Sequence, residues 1–246
     1  METLSTENEI RQALSQLPET LDETYERILN SIPHANRKYA LRLFQWLSAD
    51  SMERETLDVL ARAVTVPDEQ GIIREEDQLL SPEKLQEICR CLIAVHDDDL
   101  PVAFAHYTVK EYLFSDRIKT GSSKYYSISE ATVNAFAAKT AINYLLNVDY
   151  AAFRNGDKVL TLSESKRIDP FLSFAVILWD HYTRSVEKDG GDTEITNLTL
   201  LLLNPSGSHF QGFSEQNNVH IAETDPDDLL PDWKICPGAE HSAILG

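Results

Sequence analysis

The run Phe104-Ala105-His106-Tyr107-Thr108-Val109-Lys110-Glu111-Tyr112-Leu113 holds the residues best placed to do chemistry. Alternation puts Phe104 and His106 on one side of a short strand. Thr108 and Glu111 have the Thr-x-x-Glu spacing of a capping box, which predicts that a helix begins there. His106 is then held at a strand-to-helix corner beside Val109, Tyr112 and Leu113. An imidazole in that setting either anchors a core or presents a ring nitrogen to a ligand. A neutral ring can donate one N–H to a phosphate oxygen, and a charged one binds phosphate more strongly.

Two other groupings invite a metal. His96 precedes Asp97, Asp98 and Asp99, but three consecutive aspartates point in different directions and read as a solvated hairpin turn. Cys89 and Cys91 lie two apart. On a helix that spacing separates them by about 200°, so they cannot face one ion and read as core and flank. Trp46 and Trp179 sit in apolar helical stripes and read as packing residues. No metal site and no catalytic residue is assigned. The chain has no Gly-x-x-x-x-Gly-Lys-Ser/Thr P-loop, no Gly-x-Ser-x-Gly nucleophile elbow and no Thr-Pro-Leu-His ankyrin signature.

The elements that must position these residues are mostly helices. Thr6-x-x-Glu9 is a further capping box, and Pro18 restarts a helix with Leu21, Tyr25, Ile28 and Leu29 as its buried stripe. Asn36 to Ser48 is strongly amphipathic, and a second helix spans about Glu53 to Val64. Ser81 caps a third, with Pro82 at its first position. The β-formers Leu92 to His96 and Val102 to Tyr107 flank the aspartate turn and predict a hairpin. Beyond a polar break, Ser127-x-x-Glu130 caps a long helix. Asp169-Pro170 opens another, and Glu194 to Leu203 makes a third. The expectation is a mainly α protein with four parts. Residues 1–34 are a helical lead-in, 35–120 a winged-helix domain with one β-hairpin, and 121–205 a helical extension. Residues 206–246 lose periodicity and read as an irregular or partly disordered tail.

Composition narrows the partners. The 246 residues are 42% hydrophobic and 25% charged, ordinary for a globular chain, but the net charge is −18. That balance disfavours a phosphate-tracking surface and docking on anionic lipid. Met1 to Arg11 is polar and acidic, which predicts no secretory leader. The longest apolar run, Phe171 to Trp179, is nine residues, against roughly 20 for a membrane span. Cys89, Cys91 and Cys236 make an odd count without disulfide-framework spacing, so a reducing, cytoplasmic or nuclear setting is expected, cytoplasmic first.

Leu17-Pro18-Glu19-Thr20-Leu21-Asp22-Glu23-Thr24-Tyr25-Glu26-Arg27-Ile28-Leu29 resembles a segment of fungal NACHT-type signalling NTPases, where it directly follows the nucleotide-binding core. Phe104 to Leu113 is similar to the end of the winged-helix domain in those proteins, which carry His-x-Ser-Val-x-Glu-Tyr-Leu. Thr108 stands here for that serine and keeps the hydroxyl. The likeness covers roughly residues 10 to 185 and is strongest at these two motifs. A similar winged-helix segment occurs in GPI inositol-deacylase-like fungal proteins and in large ankyrin-repeat proteins.

The resemblance implies a cytoplasmic signal-transduction switch. Its winged-helix domain folds over the NTPase in the ADP-bound resting form, and His106 matches a histidine that can contact the β-phosphate. The chain would then be a non-catalytic regulatory module, with no cofactor of its own and ADP or ATP only through a separate NTPase domain. That domain would be its partner, in cis within a longer protein or in trans, with ankyrin repeats as a further partner. The alternative is a winged-helix nucleic-acid-binding protein. Across Ser81 to Ala94, however, Lys84 and Arg90 are balanced by Glu83 and Glu87, and the wing turn carries three aspartates. Neither nucleic acid nor membrane is therefore expected as a partner.

Overall fold

Helix capping decides where the elements of this protein begin, and in several places it moves them from where spacing alone puts them. The computed structural model describes residues 20–49, 55–68, 81–95 and 101–223, together with positions 73, 76, 78 and 79. The Thr6–Glu9 box, the His96–Asp99 turn and residues 224–246 lie outside the described residues. Helix α1 (Leu21–Asn30) starts after Thr20 rather than at Pro18, because the Thr20 hydroxyl accepts the Glu23 N–H at 3.2 Å. Tyr25 and Leu29 are buried, whereas Leu21, expected in the stripe, is exposed.

Helices α2 (Arg37–Ser48), α3 (Leu57–Ala63) and α4 (Glu83–Cys89) follow. Ser81 does not cap α4 through a backbone N–H. Its hydroxyl bonds the Glu83 carboxylate instead and holds that group below its ordinary pKa. Arg90 takes a left-handed φ of 52°, turning the chain sharply out of α4. Strands β1 (Ile93–Ala94) and β2 (Ala103–Phe104) then pair antiparallel, Ile93 opposite Phe104 and Ala94 opposite Ala103. Both strands are shorter than the alternation suggests. Val102 donates its N–H to the Glu55 carbonyl at 3.0 Å, which ties the hairpin to the segment entering α3.

The hairpin feeds α5 (Tyr107–Phe114) and the short α6 (Asp116–Thr120). The extension is built on α7 (Glu130–Asn147). Its cap is Ser129, in a reciprocal capping box with Thr132, and not Ser127. The buried Ile128 explains the shift, since its N–H bonds the Leu113 carbonyl at 3.0 Å and keeps that stretch extended. A second antiparallel hairpin, β3 (Arg154–Asn155) and β4 (Lys158–Val159), joins the one that was expected. Gly156 supplies its positive φ of 60°. After α8 (Leu162–Ser165) come α9 (Pro170–Lys188) and α10 (Thr193–Leu202).

The tail reading needs correction, because residues 210–223 form a helix, α11 (Phe210–Glu223). Its apolar periodicity is weak, and its buried face carries Phe213, Gln216 and His220. A Cβ at Gly212 would lie 2.3–2.7 Å from Tyr150 side-chain atoms, so glycine there lets the helix ride on the tyrosine. The Phe213 ring meets Trp179 edge-on at 5.8 Å, and Glu215 pairs with Arg154.

One core runs through the described residues. Trp46 of α2 is fully buried and makes edge contacts with Phe136 of α7 at 5.3 Å. It also meets Phe171, Phe174 and Tyr182 of α9 at 5.8, 5.6 and 6.3 Å. The same boundary is crossed by an ion pair. Asp169 caps α9 by accepting the Phe171 N–H at 3.0 Å, and its other oxygen accepts Arg62 Nε of α3 at 2.8 Å. Both side chains are about nine-tenths buried, at 12% and 10% exposure. Asp169→Asn keeps the cap but leaves the Arg62 charge uncompensated, and should cost about 3 kcal/mol. The double change Arg62→Met/Asp169→Asn should recover most of that loss in urea unfolding. A single mutant within a few tenths of a kcal/mol of the parent would show that the pair does not join the two regions.

Candidate functional site

The His106 backbone is extended, with φ −151° and ψ 145°, and β2 has already ended at Phe104. The two residues part company there: Phe104 packs against Phe44 at 6.1 Å, whereas His106 is exposed. His106, and not Thr108, is the N-cap of α5, because its Nδ1 accepts the Thr108 N–H at 3.3 Å. The expected Thr108–Glu111 capping box is thereby displaced. Helix α5 starts two residues before the serine-like spacing implied, since the imidazole reaches the backbone donor first.

Thr108 has a different task. Its hydroxyl lies 2.7 Å from His106 Nδ1 and 2.6 Å from the Tyr25 hydroxyl. Because Nδ1 accepts from the backbone, the neutral ring carries its proton on Nε2. The consistent order is Tyr25 O–H to Thr108 Oγ, and Thr108 O–H to Nδ1. This relay joins α1 to the start of α5 across 83 positions of sequence. It assigns the tautomer and leaves Nε2–H without a partner among the described residues. The Tyr107 ring lies tilted beside the imidazole, 4.5 Å between centroids, and is itself 68% exposed.

Further contacts brace α1 against the segment after α6. The Tyr25 and Tyr112 rings lie 5.7 Å apart, and the Tyr112 hydroxyl is 3.1 Å from Ser123 Oγ. Burial raises the Tyr112 phenol above its ordinary pKa. Glu26 accepts from both the hydroxyl and the N–H of Ser122, at 2.7 and 2.5 Å. The Ser122 hydroxyl, then its N–H, holds the Glu26 carboxyl below the usual range. Tyr25 was legible only as a buried aromatic, because nothing local to α1 signals a partner so distant in sequence.

Cys89 is buried and its thiol is pushed up by burial, while Cys91 is exposed. No group of three metal-ligating side chains occurs among the described residues. On α4, Lys84 is held by Glu87 at 2.5 Å, so its charge is already met where a recognition helix would present it to phosphate. No helix among the described residues is long and apolar enough to cross a membrane.

No family model matches the chain, and no solved structure matches it. It is similar to azaphilone pigments biosynthesis cluster protein L of Monascus ruber. The two are 28% identical over 199 residues, which cover 76% of this chain and 40% of the relative. The chain thus spans about two fifths of that protein's length.

The cap assignment separates two substitutions. His106→Leu removes the acceptor and should cost about 1 kcal/mol of stability, while His106→Asn retains a good capping side chain and should cost a few tenths. Thr108→Ala should cost about 1 kcal/mol through the lost link between Tyr25 and His106. Equal unfolding midpoints for the leucine and asparagine variants would rule out His106 as the cap.

Proposed function

We propose that this chain is a non-catalytic regulatory and interaction module of a NACHT-type signal-transduction NTPase. It acts in the cytoplasm and holds the partner's nucleotide-binding domain in its ADP-bound resting state. The observation that supports this reading is the exposed His106, whose Nδ1 is engaged by Thr108 and whose Nε2–H has no partner among the described residues. A single preset donor on a rigid helix start suits a phosphate oxygen, because nothing need reorganise when the bond forms. The sequence likeness around residues 17–29 and 104–113 supplies the identity of the partner class.

The element order also fits: α2, α3 and α4 and then the β1–β2 hairpin precede α5, the order of a winged helix. In this role the module works by contact. The nucleotide belongs to the NTPase domain, in cis in a longer protein or in trans, with ankyrin repeats as a further element of such a protein. The acidic surface and the paired Lys84 favour a protein partner over nucleic acid.

Binding of the purified chain to a NACHT-type NTPase core loaded with ADP, or with a non-hydrolysable ATP analogue, tests this reading. The expected result is at least tenfold tighter binding to the ADP form, about 1.4 kcal/mol. That preference should be lost in His106→Leu. Equal affinity for both forms, or a salt-sensitive gel shift with duplex DNA in place of NTPase binding, would overturn it.

A further inference from the structure

Helix α11 is held to the fold differently from its neighbour α10. The buried side chains of α10 are Ile195, Leu198 and Leu202, all apolar, whereas those of α11 are Phe213, Gln216 and His220. Two amide oxygens of α11, Gln216 Oε1 and Asn217 Oδ1, are buried without a hydrogen-bond partner among the described residues. So is Nε1 of Trp179, the ring that Phe213 meets. Each of these groups gives up hydration on docking without gaining a partner, so the interface itself opposes the docked state. Once undocked the segment has little reason to stay helical, because Gly212, Asn217 and Asn218 are poor helix formers.

The ties that do hold α11 are local. Phe213 lies edge-on to Trp179, and Glu215 pairs with Arg154. The two charged side chains are 29% and 31% exposed, so solvent screens the pair. Helix α11 leans chiefly on α8, α9, β4 and the turn Tyr150–Phe153, all in the extension. The surface beneath has its own supports. The Tyr150 hydroxyl donates to the Leu145 carbonyl at 2.8 Å, and α9 keeps Phe171, Phe174 and Tyr182 against Trp46. Loss of α11 therefore uncovers two rings, Tyr150 and Trp179, that stay fixed in place.

We propose that α11 is a releasable strap, which opens as a unit over Tyr150 and Trp179 while the shared core stays folded. Closed, it conceals an aromatic contact surface; open, it presents that surface to solvent. Segments with few buried apolar contacts are the ones that open first in a folded chain. The strap rests on the packing of the extension and not on His106, so either proposal can fail alone.

The test is amide hydrogen exchange of the full chain, followed by mass spectrometry. In the parent, residues 214–223 should open about tenfold or more often than α9. Gly212→Ala puts a Cβ 2.3–2.7 Å from Tyr150 side-chain atoms and should prop the strap open. Exchange at 214–223 should then match that of an unstructured segment, with α7 and α9 as protected as in the parent. The uncharged dye Nile red should bind this variant and not the parent. Gln216→Leu removes an unmatched amide and should slow exchange in α11 about threefold or more. Equal protection of α11 and α9 in the parent overturns the proposal. So does loss of protection from α7 and α9 in Gly212→Ala, an absence of Nile red binding to it, or a Gln216→Leu chain whose α11 exchanges no more slowly.

Discussion

The rest of the fold depends on Trp46 being buried against four aromatic rings from two other helices. Its indole is fully buried, and four aromatic side chains from α7 and α9 meet it edge-on. Edge contacts of this kind add about 0.5–1.5 kcal/mol each beyond the area they bury. They also set orientation, which plain apolar packing does not. Because Trp46 comes from α2 and its partners from the extension, the hairpin-bearing region and the later helices share one core. The Arg62–Asp169 pair repeats the join a short distance away, where a charge and a helix cap use one carboxylate.

That shared core gives His106 its fixed position. Helix α5 packs Val109, Tyr112 and Leu113 inward, and the Leu113 carbonyl holds Ile128 at the threshold of α7. The start of α5 therefore cannot shift without disturbing two helices. Against this background the imidazole spends Nδ1 on the backbone and on the Thr108 hydroxyl, and its other nitrogen has no partner among the described residues. The same hydrogen bond that begins the helix thus selects the Nε2–H tautomer of the neutral ring. Structure and chemistry meet in one atom.

The sequence made α1 to α5 and, in the extension, α7, α9 and α10 legible among the described residues, since their apolar stripes repeat at helical spacing and tertiary packing then agreed. Helix α10 falls within one residue of its expected span. Cap positions were less legible because Ser127, Ser129 and Thr132, like His106 and Thr108, compete locally, and a distant contact decides between them. Helix α11 was hidden by its content: Gly212, Gln216 and His220 occupy positions where an apolar residue would announce a helix. Its reasons lie in Tyr150, Trp179 and Arg154, which the sequence places far away. Of the candidate site, His106 and Thr108 could be read in advance, though with the capping role on the wrong residue. Tyr25, Arg62 and Asp169 acquire their roles only through contacts across 83 and 107 positions.

The most direct measurement is the rate at which ADP leaves a NACHT-type NTPase core in the presence of this chain, compared with the H106N variant. Asparagine keeps the cap and the fold, so only the ring donor is lost. Slower ADP release with the parent chain, and release at the unassisted rate with H106N, is the predicted result. Identical rates with both chains would contradict the assignment of His106 as the phosphate donor.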